Sequence, residues 1–206
     1  MAGLRHWPRW ATPLTWLIGL LPLGSALWRL GEAVNPVELL TRSTGTWALT
    51  GLLLTLTITP LRQLSGWPAL WHLRRPLGLL AFAYGLIHLL IYLLLDQQLD
   101  WAEIGRDVFK RPFITAGMAG FVLLLPLAIT STDGWMRRLK RRWGLLHRLV
   151  YPAAMLAVLH DLWLVKKDLT QPLIYAAALA LLLGWRLWRR WRRWHSAFHW
   201  HSPERK

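Results

Sequence analysis

Six apolar stretches, each close to the length that crosses a lipid bilayer, leave this chain of 206 residues little freedom in how it folds. A hydrocarbon core about 30 Å thick takes roughly 20 apolar helical residues to cross. Inside it only a helix or a closed barrel satisfies every backbone N–H and C=O. The stretches are Thr12 to Leu30, Thr46 to Leu61, Pro76 to Leu95, Pro112 to Thr130, His147 to Val165 and Gln171 to Trp188. The second is the shortest, but "LTGLLLTLTITP" carries no charge and its hydroxyls can bond back to the helix carbonyls. The expectation is an all-α polytopic membrane protein: a six-transmembrane-helix bundle over residues 12–188, with an N-terminal arm 1–11 and a basic tail 189–206. No convincing internal repeat is visible, and nothing substantial is left for a soluble domain.

A cleaved leader needs a basic start, a short apolar run and a small-residue cleavage site. Here the run is longer, Pro13 and Pro22 interrupt it, and Trp28 and Arg29 stand where small residues belong. The first stretch therefore reads as a retained helix.

Charge sets the expected orientation. With both termini cytoplasmic, one side holds the N-terminal arm, the loop with Arg62, Arg74 and Arg75, the loop Arg137 to Arg148, and the tail from Arg186. That side carries 18 Lys and Arg against Asp133 and Glu204, while the opposite side carries seven basic residues against eight acids. Such asymmetry in short loops is the positive-inside pattern. The net charge of +15 is then a topology signal and a contact with anionic membrane lipids. It does not indicate nucleic acid, because no globular domain presents a groove. Trp10, Trp28, Trp67, Trp71, Trp101, Trp143 and Trp163 fall near the expected helix ends, where indoles anchor at the headgroups. The tail "WRLWRRWRRWH" reads as a continuation of the last helix into the interface.

The chemistry lies in three histidines. His88 sits deep in the third stretch, and His147 and His160 bracket the fifth. Imidazoles are costly in hydrocarbon unless a partner or a metal satisfies them. At 1.5 Å per residue, His88 lies about 18 Å along its helix and His160 about 20 Å along a parallel one, a shared level in the outer half of the bilayer. Two ligands at one level can clamp a planar heme. The absence of cysteine excludes disulfides, iron–sulfur clusters, thiolate ligation and c-type attachment, leaving a non-covalent b-type heme with nitrogen ligands.

A second heme at His147 is less complete. The matching position on the third helix, 14 residues before His88, is Arg74. His72 lies two residues out of register, and Arg74 or Arg75 can pair with a heme propionate or a flavin phosphate. On a straight helix His147 and His160 point about 140° apart, which a kink at Pro152 would relieve in part. A lone intramembrane histidine more often bonds helix to helix than ligates a metal. Asp96 and Asp161 read as solvated at outer helix ends, with Asp161 also placed to orient His160 or relay a proton. His195, His199 and His201 belong to a polar tail.

The strings "TGTWALTGLLLTLTITPLR", "RRPLGLLAFAYGLIHLLIY", "RPFITAGMAGFVLLLPLAITST", "RWGLLHRLVYPAAMLAVLHDLWLVK" and "QPLIYAAALALLLGWR" resemble those of the MsrQ (YedZ) family, from about Asn35 to Arg186. The resemblance implies a ferric-reductase-like domain, related to the membrane part of NADPH oxidases, in the bacterial inner membrane, with heme b and FMN as cofactors. It implies His88 in "LIHLL", His147 in "GLLHRL" and His160 in "VLHDLW" as heme ligands, with Arg74 in place of the oxidases' fourth histidine, and so one heme or two. It also implies electron delivery from the quinone pool or a cytoplasmic flavin reductase to MsrP, a periplasmic molybdopterin subunit that repairs oxidised methionines.

The expected mechanism is a single-electron relay, with substrate chemistry left to the partner, which would dock on outer loops such as Asp96 to Lys110. A heme-free transporter or scaffold is the competing class; a transporter would show broken helices or repeats with polar groups near the midplane. A stand-alone ferric-reductase-like cytochrome is the third. It would carry a cytoplasmic nucleotide-and-flavin domain, for which the sequence leaves no room after the last helix.

Overall fold

Helices account for almost all of the computed structural model, which describes residues 7–165 and 167–198. Arg5, Lys166, His199 and His201 lie outside the described residues. In chain order the helices are α1 Ala11–Trp28, α2 Pro36–Ser65, α3 Arg74–Ile91, α4 Trp101–Lys110, α5 Pro112–Ile129, α6 Asp133–Leu139, α7 Arg141–Leu146, α8 Val150–Leu164 and α9 Thr170–Phe198. Short 3₁₀ turns join several of them, and α3 ends in a π turn at Tyr92–Asp96.

Among the described residues five segments are long and apolar enough to cross a membrane: Ala11–Glu32, Pro36–Ser65, Pro68–Asp96, Pro112–Ile129 and Thr170–Arg192. The sixth expected crossing is α8, of 15 residues, preceded by the 3₁₀ turn His147–Leu149. Together these two rise about 28 Å, close to the thickness of the hydrocarbon core. The chain is a multi-pass membrane protein built as an all-α bundle.

The stretch that looked shortest in sequence is the centre of the bundle. Helix α2 runs 30 residues because Asn35 caps it, its side-chain oxygen accepting from the Glu38 N–H at 3.1 Å, and Pro36 occupies the first turn. Its polar start is held by the Arg42–Glu38 pair at 3.0 Å. Within the apolar part, Thr44, Thr55 and Thr57 donate to the carbonyls of Leu40, Gly51 and Leu53, which satisfies those hydroxyls within the helix itself. Leu49, Leu52, Leu53 and Leu56 of α2 form the core with Ala81, Val150, Ala154 and Val158.

Two prolines open helices, and each opening is filled from a neighbour. Pro60 has no N–H to offer the Leu56 carbonyl, and Arg186 of α9 donates to it instead at 2.6 Å. In α1, beside Pro22, the Tyr84 hydroxyl of α3 accepts from the Leu23 N–H at 3.2 Å and donates to the Gly19 carbonyl at 2.7 Å.

The basic loops gather at one end. Arg75 pairs with Asp133 at 2.7 Å, Trp7 stacks on His72, and the Trp185 indole donates to Gln63 at 3.3 Å. Helix α9 continues through Trp185 to His195, as the sequence suggested. At about 43 Å it outruns the hydrocarbon core by roughly two turns. The opposite end differs from expectation, since Asp96 to Lys110 is not all loop. Asp100 caps α4 by accepting from Ala102 and Glu103 N–H groups, and the buried Asp107 accepts from the Tyr92 hydroxyl at 3.2 Å and pairs with Arg111 at 3.0 Å.

Candidate functional site

His88 lies late in α3 and His160 late in α8, and the bundle brings their rings together. The ring centroids are 6.1 Å apart and the planes stand at 84°. Two imidazoles bound to one metal ion from opposite sides, at about 2 Å each, place their centres roughly 6 Å apart. The matched depth expected from sequence is realised as a pair of neighbouring rings.

Each ring is anchored through Nδ1 to a backbone carbonyl of the helix beside it. His88 Nδ1 donates to Thr41 O of α2 at 3.0 Å, and His160 Nδ1 donates to Phe113 O of α5 at 2.7 Å. A carbonyl can only accept, so the proton is on Nδ1 and the lone pair on Nε2. This is the arrangement in which an outer hydrogen bond fixes the tautomer of a metal-ligating histidine. A glycine lies under each ring: a Cβ on Gly45 would stand 3.0 Å from His88 Cε1, and one on Gly117 would stand 2.8 Å from His160 Nδ1.

His147 occupies the 3₁₀ turn at the other end of α8. Its Nδ1 donates to Trp143 O at 3.1 Å, its ring stacks on Trp143 at 3.9 Å, and its Nε2 is buried with no partner. None of the three uses Nε2 in a hydrogen bond among the described residues. The 3₁₀ turn also answers the phase difficulty. Three residues at 120° instead of 100° narrow the divergence of His147 and His160 from about 140° to about 80°. Pro152 contributes no kink, because it falls in the first turn of α8, where its missing N–H costs nothing.

The remaining candidates separate. Arg74 stacks on Trp71 at 4.6 Å, has no acidic partner among the described residues, and lies within electrostatic reach of His147, Tyr151 and Arg186. Arg62 approaches the same indole at 5.1 Å. Arg75 is engaged by Asp133. His72 stacks on Trp7 and shares a hydrogen bond with Ala69 O. Asp161 does not orient His160, whose Nδ1 is already satisfied by Phe113; its Oδ2 is buried without a partner. The orienting carbonyls were invisible in sequence. The glycines were not wholly so, since a glycine inside an apolar helix usually marks a close approach.

Among the described residues no three His, Cys, Asp or Glu side chains converge on one point. Two neighbouring imidazoles with Nε2 uncommitted would suit a metal whose other positions are filled by a ring of its own.

Residues 44–158 match the ferric reductase like transmembrane component family, a segment that includes His88 and His147 and ends two residues before His160. The chain is 52% identical over 170 residues to a protein of Xanthomonas oryzae pv. oryzae (strain MAFF 311018), named protein-methionine-sulfoxide reductase heme-binding subunit MsrQ, covering 80% of this chain and 78% of that one. The chain belongs to the MsrQ family. MsrQ of Bordetella parapertussis (strain 12822 / ATCC BAA-587 / NCTC 13253) is 53% identical over 180 residues, covering 85% and 87%. MsrQ of Xanthomonas campestris pv. campestris (strain 8004) is 57% identical over 153 residues, covering 74% and 70%. No solved structure matches the chain.

Proposed function

We propose that this chain is the heme b electron-transfer subunit of a periplasmic methionine-sulfoxide reductase system, seated in a bacterial inner membrane with both termini in the cytoplasm. The observation that carries the reading is the His88–His160 pair, 6.1 Å between centroids, each ring fixed with its Nε2 lone pair free. The names of the relatives, heme-binding subunits, supply the ligand class. Heme b contributes a reversible one-electron change at iron and nothing else.

The chain's own residues do the rest. His88 and His160 hold the outer heme between α3 and α8, and the Thr41 and Phe113 carbonyls raise the basicity of both imidazoles. His147 offers one further nitrogen at the basic end, where a second heme would be held with Arg74 beside it. Arg74, with Arg62 and Arg186 near it and no acid, is also the group suited to the phosphate of FMN. The apolar side chains of α2, α5 and α8 keep water from the site and so set its dielectric. The donor, a quinone or a flavin reductase, reduces the basic end, and MsrP receives electrons at the other. There α4 presents exposed Trp101 and Phe109, while its acids Glu103 and Asp107 are paired with Arg106 and Arg111.

The test is a dithionite-minus-oxidised absorption spectrum of the purified protein beside His88→Ala, His160→Ala and His147→Ala. Loss of the b-type bands in the first two establishes the outer site, and the residual signal in the third counts the hemes. A wild-type preparation made under full heme supply that shows no b-type bands overturns the reading.

A further inference from the structure

The two histidine anchors are the same construction built twice. His88 donates to a carbonyl 47 residues before it, and so does His160. In each case the glycine under the ring lies four residues after that carbonyl: Gly45 after Thr41, Gly117 after Phe113. Four residues is the spacing of the helical hydrogen bond. Each imidazole therefore donates to the carbonyl that the glycine's own N–H reaches along the helix, and it gets there by lying over the glycine. Helices α2 and α3 form the first unit, α5 and α8 the second, and Ala81 and Ala153, seven residues before the respective histidines, are both buried.

Any larger residue closes this route. A Cβ on Gly117 would meet the imidazole nitrogen itself at 2.8 Å, and one on Gly45 would meet the ring at 3.0 Å and 3.1 Å. The ring is not the loose end of a flexible chain; it is pinned by its hydrogen bond.

We propose that Gly45 and Gly117 are a matched pair of positioning residues, each forming with the carbonyl four residues before it a cradle that sets the tautomer and ring plane of one axial-ligand imidazole. This rests on the heme reading for the words "axial ligand". The cradles themselves are built from the chain alone. A histidine lifted off its carbonyl loses the partner that keeps the proton on Nδ1, and its Nε2 is no longer held as the free donor.

The experiment compares Gly45→Ala, Gly117→Ala and, as control, Gly184→Ala, whose Cβ would meet nothing within 4 Å. Two readouts are taken: ¹⁵N shifts of the histidine side chains in heme-free protein, and the ferric low-spin EPR signal in loaded protein at measured heme content. The expected result is that Gly117→Ala moves the His160 ¹⁵N resonances and shifts or abolishes the EPR signal. Gly45→Ala does the same at His88 to a smaller degree, and Gly184→Ala changes neither. If Gly117→Ala does not fold, the milder Gly45→Ala decides. Unchanged resonances in Gly45→Ala and full heme with an unshifted signal overturn the proposal. A wild-type protein without b-type heme, but with ¹⁵N shifts that move in the variants, instead overturns the heme reading and leaves the cradles standing.

Discussion

The Arg186 guanidinium donates to the Leu56 carbonyl at 2.6 Å, four residues before a proline that has no N–H to give it. A charged group is thereby drawn into the bundle to satisfy a backbone acceptor. Replacing Arg186 by Leu strands that acceptor and costs about 1–3 kcal/mol. Pro60→Ala returns an N–H to the same carbonyl. The cost of Arg186→Leu, read by thermal unfolding in detergent, is therefore smaller in the Pro60→Ala background than in the wild type. Equal costs in the two backgrounds refute the account.

Asp107 is 3% exposed and holds the Tyr92 hydroxyl and Arg111, so it pins α4 to the ends of α3 and α5. Asp107→Ala leaves both partners unmatched. The expected outcome is a loss of about 1–3 kcal/mol and faster proteolysis within Trp101–Lys110, with the b-type spectrum retained. Cleavage at the wild-type rate sinks this prediction.

With ring planes at 84°, the field of the two imidazoles on a bound iron would be nearly symmetric about the His88–His160 axis. The oxidised, heme-loaded protein is expected to give a strongly anisotropic low-spin EPR signal, not the rhombic one of parallel imidazoles. A rhombic signal from this site contradicts the geometry.

The sequence carried the bundle, its charge segregation and the depth match of His88 and His160, because these follow from run length, loop composition and helical rise. It did not carry α4, whose Asp100 cap and buried Asp107 look like ordinary loop acids until Tyr92 and Arg111 are seen beside them. Nor did it show the repetition of the histidine anchors. In apolar helices most positions are interchangeable, so the two units keep little common sequence beyond histidine, glycine and a buried alanine. What repeats is the geometry. Helix α2 is longer than its uncharged run for a related reason: its first three turns mix charged and hydroxyl side chains with Val37, Leu39 and Leu40, and the Asn35 cap and the Glu38–Arg42 pair hold them helical.

Each of the three site histidines is oriented by a main-chain oxygen: Thr41, Phe113 and Trp143. Side-chain identity at those three positions is therefore irrelevant to the orienting bond. Drift there can alter packing or colour the surroundings while leaving the proton where it is. The instruction that sets the tautomers is written in the path of the backbone, and it changes only when a helix shifts or a glycine acquires a side chain.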